Sequence, residues 1–155
     1  MTIRTITYSY PGYIPDRDIL DQFSLHLQSF KCGLSQFNEP ITVRTARLSL
    51  TVLSGFSEQS PALLLQRLSA LGKEILTYDF RWFNLTIDLD SFDKVQYLPR
   101  FVCQALGTIP NLFINYRLTS PSADLLFVCS KTINQLTSYA PSDLICFRFG
   151  ISTGN

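Results

Sequence analysis

The sequence predicts an α+β domain with helices packed on one face of an antiparallel or mixed sheet. Three observations carry that expectation. Segments with apolar residues at every second position alternate with segments of helical spacing. The strand segments mix polar and apolar residues, whereas strands of a sheet covered on both faces run continuously apolar. No glycine-rich phosphate loop follows any strand, which argues against a doubly wound parallel sheet. At 155 residues the chain has room for one domain, spanning 1–155 with no linker.

The elements follow in order. Residues 2–10 alternate, with Ile6, Tyr8 and Tyr10 on one face and Thr5, Thr7 and Ser9 on the other, until Pro11-Gly12 and Pro15 break the strand. Asp16 is placed to cap a helix that carries Ile19, Phe23, Leu27 and Phe30 and stops near Gly33. An extended stretch from Pro40 to Leu53 changes phase between Ile41/Val43 and Leu48/Leu50/Val52, so a bulge or bend is expected between Arg44 and Arg47. Ser60 and Pro61 open the clearest helix, whose stripe is Leu64, Leu68 and Leu71 and whose C′ residue is Gly72. Residues 75–89 read as extended, with Phe83, Leu85, Ile87 and Leu89 opposite Asn84, Thr86 and Asp88. Asp90 or Ser91 caps a further helix with Val95, Leu98, Val102 and Leu106, which Pro99 kinks or delays. Leu112, Ile114, Tyr116 and Leu118 form a strand, and Asp124–Cys129 reads as either a paired strand or the front of a helix. A short helix with Ile133 and Leu136 stops before Pro141, and a last strand turns Ile145, Phe147, Phe149 and Ile151 inward.

Composition sets bounds on function. The chain is 46% hydrophobic and 16% charged, too apolar for a disordered tail and too poor in charge for a coiled coil. A net charge of +1 supplies no global field toward nucleic acid or anionic lipid, and sparse charge favours self-association over a strict monomer. No run approaches a transmembrane helix and no secretory h-region is present, so the expected place is a cytoplasm or the inner face of a membrane, without secretion. Cys32, Cys103, Cys129 and Cys146 lack metal spacing and read mostly as small buried hydrophobes of a reducing compartment.

Catalytic signatures are missing, and no catalytic residue, metal or cofactor is expected. The one histidine, His26, sits on a helix, and neither nucleophile elbow, Walker loop nor zinc motif occurs. Asp88 and Asp90 are spaced to hold a hard cation or to act as an acid/base pair, but capping and solvation account for both. Basic residues interleaved with aromatics are the stronger feature: Arg44, Arg47, Arg81, Lys94 and Arg100 are candidate contacts for RNA or membrane phosphates, or scattered residues covering apolar neighbours. Tyr78, Phe80 and Trp82 either form an exposed aromatic row or are turned into the core by a bulge.

At residues 46–106, an apolar strand (Ala46–Val52), a leucine helix (Leu63–Leu71), a strand with an aromatic start (Arg81–Ile87) and a helix near 93–106 follow in an order that resembles compact matrix proteins of non-segmented negative-strand RNA viruses, of the bornavirus and rhabdovirus type. The resemblance implies a non-enzymatic viral protein that self-associates in the host cytoplasm and the virion and bridges the inner leaflet of an envelope to ribonucleoprotein. The basic N-terminal tail and the P-P-x-Y late motif of many members are missing, as is a Met-Gly myristoylation start. Tyr10, Pro11 and Ile14 give only a loose tyrosine–proline budding motif, which a strand-ending turn also explains. The alternative is a small cytosolic accessory protein that binds a host factor through protein–protein contacts.

Overall fold

The computed structural model describes residues 2–12, 14–37, 39, 41–52, 60–91, 95–139 and 145–153. In chain order these form β1 (Thr2–Ile3), β2 (Ile6–Tyr10), α1 (Arg17–Leu34), β3 (Thr42–Val43), β4 (Ala46–Val52), α2 (Pro61–Glu74), β5 (Trp82–Asp88), α3 (Leu98–Thr108), β6 (Leu112–Leu118), α4 (Ala123–Tyr139) and β7 (Phe149–Thr153). Five strands make one sheet in the order β2-β4-β5-β6-β7, and every pairing is parallel.

The expected antiparallel or mixed sheet is therefore wrong, and the architecture is α/β. The reason lies in the topology. Each strand is followed by a helix and then by its immediate neighbour, so all four crossovers step across the sheet in one direction. Right-handed crossovers of that kind place every helix on the same face. The buried residues agree: Leu48, Leu50, Phe83, Leu85, Ile87, Leu112, Ile114 and Tyr116 form one core cluster with Leu20, Leu27, Leu64, Leu68, Phe101, Val102 and Leu136 of the helices. The opposite parity of the same strands, Thr7, Ser9, Arg47, Asn84, Thr86, Phe113 and Asn115, is exposed or half-buried. Alternation thus counts the covered faces of a sheet and does not report strand direction.

Local chemistry fixes the helices. Asp16 accepts the Ile19 N–H at 2.9 Å and opens α1 as expected. Its buried stripe is Leu20, Leu27 and Leu34, with Phe23 against the Tyr8 ring, while Phe30 points to solvent. Ser60 accepts the Leu63 N–H at 3.3 Å and Pro61 occupies the first turn of α2. Gly72 lies inside this helix and is not its terminator. A Cβ there would approach Asn111 Oδ1 to 2.9 Å and Ile109 to 3.0 Å, and the Asn111 amide donates to the Gly72 carbonyl at 2.7 Å. Close approach, not a left-handed turn, requires glycine there.

Residues 75–81 depart from the expected strand. Ile75–Tyr78 is a 3-10 turn closed by Asp79, which has φ 66° and is ion-paired to Lys31. The Phe80 N–H donates to Ile75 O and the Asp79 N–H to Leu76 O, the two-bond closure of a left-handed helix stop, here with Asp in the usual glycine position. That reversal drives Phe80 into the core at 0% exposure, so Phe80 is not an exposed contact residue and shares no row with Trp82. Pro99 delays α3, which begins at Leu98 after a 3-10 turn. Asp90 caps no helix: it accepts the Thr119 and Ser120 N–H groups beyond β6, and these bonds hold its carboxyl below the usual range. Asp124–Cys129 is helical, part of α4.

The C-terminal segment also differs from expectation. Cys146–Arg148 is a 3-10 turn, Phe147 is 79% exposed and Ile151 is 42% exposed. Ile151 has the same parity as its buried partner Tyr116, but the described residues place no helix beyond β7 to cover it. What anchors this edge is Arg148, whose guanidinium donates to the carbonyls of Leu106, Ile109 and Leu112, with 2.7 Å to Ile109 O. Leu106 and Ile109 are at the negative dipole end of α3, where a cation is favoured, and Leu112 opens β6. Arg148→Met removes these bonds and is expected to cost about 2 kcal/mol, the scale of bonds to a charged group. Hydrogen exchange should show protection lost first in β7, and Arg148→Lys should recover only part of it. Unchanged exchange in β7 would refute the anchoring role.

Candidate anion-binding site on the open sheet face

The open face is polar along most of its length and basic at one end. Asn84 donates to Thr86 at 3.1 Å and Asn115 to Ser152 at 2.8 Å, so these amides are satisfied across and along strands. At the C-terminal end of the strands, Arg117 pairs with Asp88 at 2.7 Å. With Asp88 bound to Arg117 and Asp90 turned to the Thr119 loop, the two carboxylates serve different partners and do not form a cation site. No group of His, Cys, Asp or Glu suited to a metal occurs among the described residues.

The N-terminal end of the strands is different. Arg4, Arg44, Arg47 and Arg81 converge with Trp82 on a cleft of about 230 Å³. Backbone pairing places them there: the Arg44 N–H donates to Ile3 O at 2.9 Å, and the Arg81 N–H to Ala46 O at 3.1 Å. The phase change expected between Arg44 and Arg47 is real, since β3 ends at Val43 and β4 begins at Ala46. It is not a bulge. β1/β2 breaks at the same place, and the register Thr2↔Thr42, Ile3↔Val43 resumes as Ile6↔Ala46 without an inserted residue.

A short repeat underlies that match. Thr2-Ile3-Arg4-Thr5 and Thr42-Val43-Arg44-Thr45 are paired side by side, forty residues apart. The Thr5 and Thr45 hydroxyls share a hydrogen bond of 3.0 Å, and Thr45 donates to the Arg4 carbonyl at 3.0 Å. Arg4 and Arg44 thus occupy equivalent register positions on neighbouring strands, where like charges repel. No carboxylate relieves them: among the described residues, none of the four guanidiniums makes an ion pair. Arg81 instead lies 5.1 Å from the Trp82 ring centre and Arg47 lies 5.8 Å from that of Phe113, while Trp82 and Phe113 meet edge to face at 5.5 Å. Such a cluster of cations, braced by aromatic faces, has the donors to hold an anion.

Arg44, Arg47 and Arg81 thus come together, and Trp82 joins them half-buried. Arg4 belongs to the same cleft but was not singled out, although its repeat with Arg44 is visible in the sequence. Arg100 sits on α3, on the helical side of the sheet, and does not join the cluster. Lys94 lies outside the described residues. Tyr78 is half-buried against the core, at the far side of the Asp79 reversal. Tyr10 packs on the core at the end of β2, Pro11 just beyond it is exposed and Ile14 is half-buried. Cys103 and Cys129 are buried, and Cys32 and Cys146 are exposed. Among the described residues, no helix is long and apolar enough to cross a membrane.

No protein-family model, curated protein or solved structure matches the chain.

Trp82 is the chain's one tryptophan, so its emission reports on this cleft alone. Titrating inorganic polyphosphate at low salt should change the emission saturably. Arg44→Ala and Arg47→Ala should each weaken the apparent affinity about fivefold, or ~1 kcal/mol for an exposed charge-assisted contact. A flat titration into the millimolar range would rule out the site.

Proposed function

We propose that the protein is a non-enzymatic interaction protein that holds the phosphodiester backbone of single-stranded RNA on the open face of its sheet. In the matrix-type role, this is the contact with ribonucleoprotein. One observation carries the reading: four guanidiniums, without ion pairs among the described residues, converge around Trp82 at the end of a polar sheet face that none of the described helices covers. Guanidinium groups hold charge at every physiological pH and match phosphate oxygens in bidentate geometry. The cleft offers no titratable base and no thiol, which suits binding and not turnover. Beyond the cleft, Ser49, Asn84, Thr86 and Asn115 present hydroxyls and amides along the path a strand of RNA would take.

The alternative anion is a lipid headgroup. An interfacial site presents protruding aromatic rings to the headgroup layer. Here Trp82 is half-buried between Arg81 and Phe113, so phosphate must come to the rings, and that favours a chain lying in the cleft over a planar bilayer.

Anisotropy with a fluorescent single-stranded RNA tests the reading. Three to four phosphate contacts predict a slope of log K on log salt of about −2 to −3. Arg47→Glu with Arg81→Glu should flatten that slope and abolish binding. Flotation with phosphatidylserine vesicles forms the second arm: capture by vesicles without RNA binding would overturn the proposal.

Self-association is a second element of the matrix-type reading, and the β7 edge supports it. Among the described residues β7 is an edge strand, Ile133 and Ile151 stay exposed beside an apolar hollow of about 250 Å³, and Phe147, next to the Cys146 that lines it, is exposed as well. Sedimentation should show concentration-dependent oligomers that Phe147→Glu returns to monomer. A wild-type chain that stays monomeric at high concentration would exclude this edge.

A further inference from the structure

We infer that the groove between α3 and α4 is a docking site for an acidic amphipathic helix of a partner protein. The groove lies on the outer, helical side of the molecule, away from the arginine cleft, and has a volume of about 770 Å³. Cys103, at 4% exposure, lies at its floor, and Phe127 and Tyr139 stand exposed along α4. Both helices return from the C-terminal to the N-terminal end of the sheet, so they run side by side in the same direction. From Phe127 to Tyr139 the α4 wall extends about 18 Å at 1.5 Å per residue, enough for the i, i+4, i+7 and i+11 anchors of a partner helix. Tyr139 closes the far end by lying over Gly107, where a Cβ would meet its ring at 2.8 Å.

Charge selects the occupant. Arg100 and Lys131 are the charged residues of the groove wall, both are basic, and neither makes an ion pair among the described residues. Arg100 also lies in the first turn of α3, where the helix dipole adds to its positive field. An apolar floor under unpaired cations fits a ligand that is apolar on one face and acidic on its flank. The remaining wall argues against a fatty-acid tail: Gln104, Asn134 and Gln135 would be left against hydrocarbon with their amides unsatisfied. Next to a helix they face the polar flank of the partner and keep their hydrogen bonds.

The test uses the full chain and a labelled model peptide with leucines at i, i+4, i+7 and i+11 and glutamates on both flanks. Its counterpart with every glutamate replaced by lysine serves as the control. The acidic peptide is expected to bind at least tenfold more tightly than the basic one. Arg100→Glu with Lys131→Glu should reverse that preference, and Phe127→Ser should weaken both; all three side chains are exposed, so circular dichroism should be unchanged. Competition with dodecanoate forms the second arm. Absence of peptide binding, equal affinity for the two peptides, or an acidic preference that survives the charge reversal would each overturn the proposal. Dodecanoate binding without acidic-peptide binding would assign the groove to an anionic amphiphile and overturn it equally.

Discussion

Four crossovers that all step the same way across a parallel sheet constrain everything else in this molecule. A parallel sheet with reversed strand order has helices on both faces and hides both. Here the order is sequential, so α1 to α4 form one layer and the sheet has a second face that none of the described helices covers. Hydrophobic burial is confined to the space between sheet and helices, and Tyr116, Phe80, Phe83 and Phe101 fill it with large rings. The same connectivity, continued, is that of strand–helix solenoids, whose open sheet faces serve as extended binding surfaces.

An uncovered face must satisfy its side chains without a second helical layer. Along most of its length it does so with short polar pairs, Asn84 with Thr86, Asn115 with Ser152 and Arg117 with Asp88. These explain how a chain with 16% charged residues keeps a solvated surface. Against that background the treatment of arginine is uneven. Arg148 gives its donors to the end of α3, and Arg117 faces a carboxylate. Arg4, Arg44, Arg47 and Arg81 crowd together with no acid among the described residues of the cleft, at a site where strand register sets like charges side by side. Arg117 and Arg148 spend their donors inside the fold, and the four cleft arginines, among the described residues, do not.

The N-terminal caps of α1 and α2 were legible in the sequence because they are local. Asp16, Ser60 and Pro61 act through the next three residues and need no knowledge of the rest of the chain. Strand direction was not legible, because alternation at Phe83, Leu85 and Ile87 records only which face is covered. Asp79 hid a reversal, since an aspartate in the left-handed region carries no glycine signal, and that one residue decides that Phe80 is core. The arginine site was half legible. Arg81 carries aromatic neighbours in sequence and Arg44 and Arg47 mark the phase change, but Phe113, which braces Arg47, is two strands away. Arg4 was missed because the repeat at 2–5 and 42–45 gains meaning only when the two copies pair.

The two surfaces lie on opposite sides of one layered body. The arginine cleft opens on the bare side of β4 and β5, and the α3–α4 groove opens on the outside of the helices, with the sheet and the core between them. They share no residue, and the core that separates them is close-packed, so occupation of one site imposes no steric cost on the other. Their charges are alike but their floors are not. The cleft sets cations over aromatic faces on a polar sheet, suited to phosphate and base, and the groove sets cations beside an apolar trough, suited to an acidic helix. A one-layer sheet with helices on a single side therefore supplies, in one domain, two chemically distinct faces pointing away from each other. That is the geometry a bridging protein needs, and it follows from the direction in which the crossovers step.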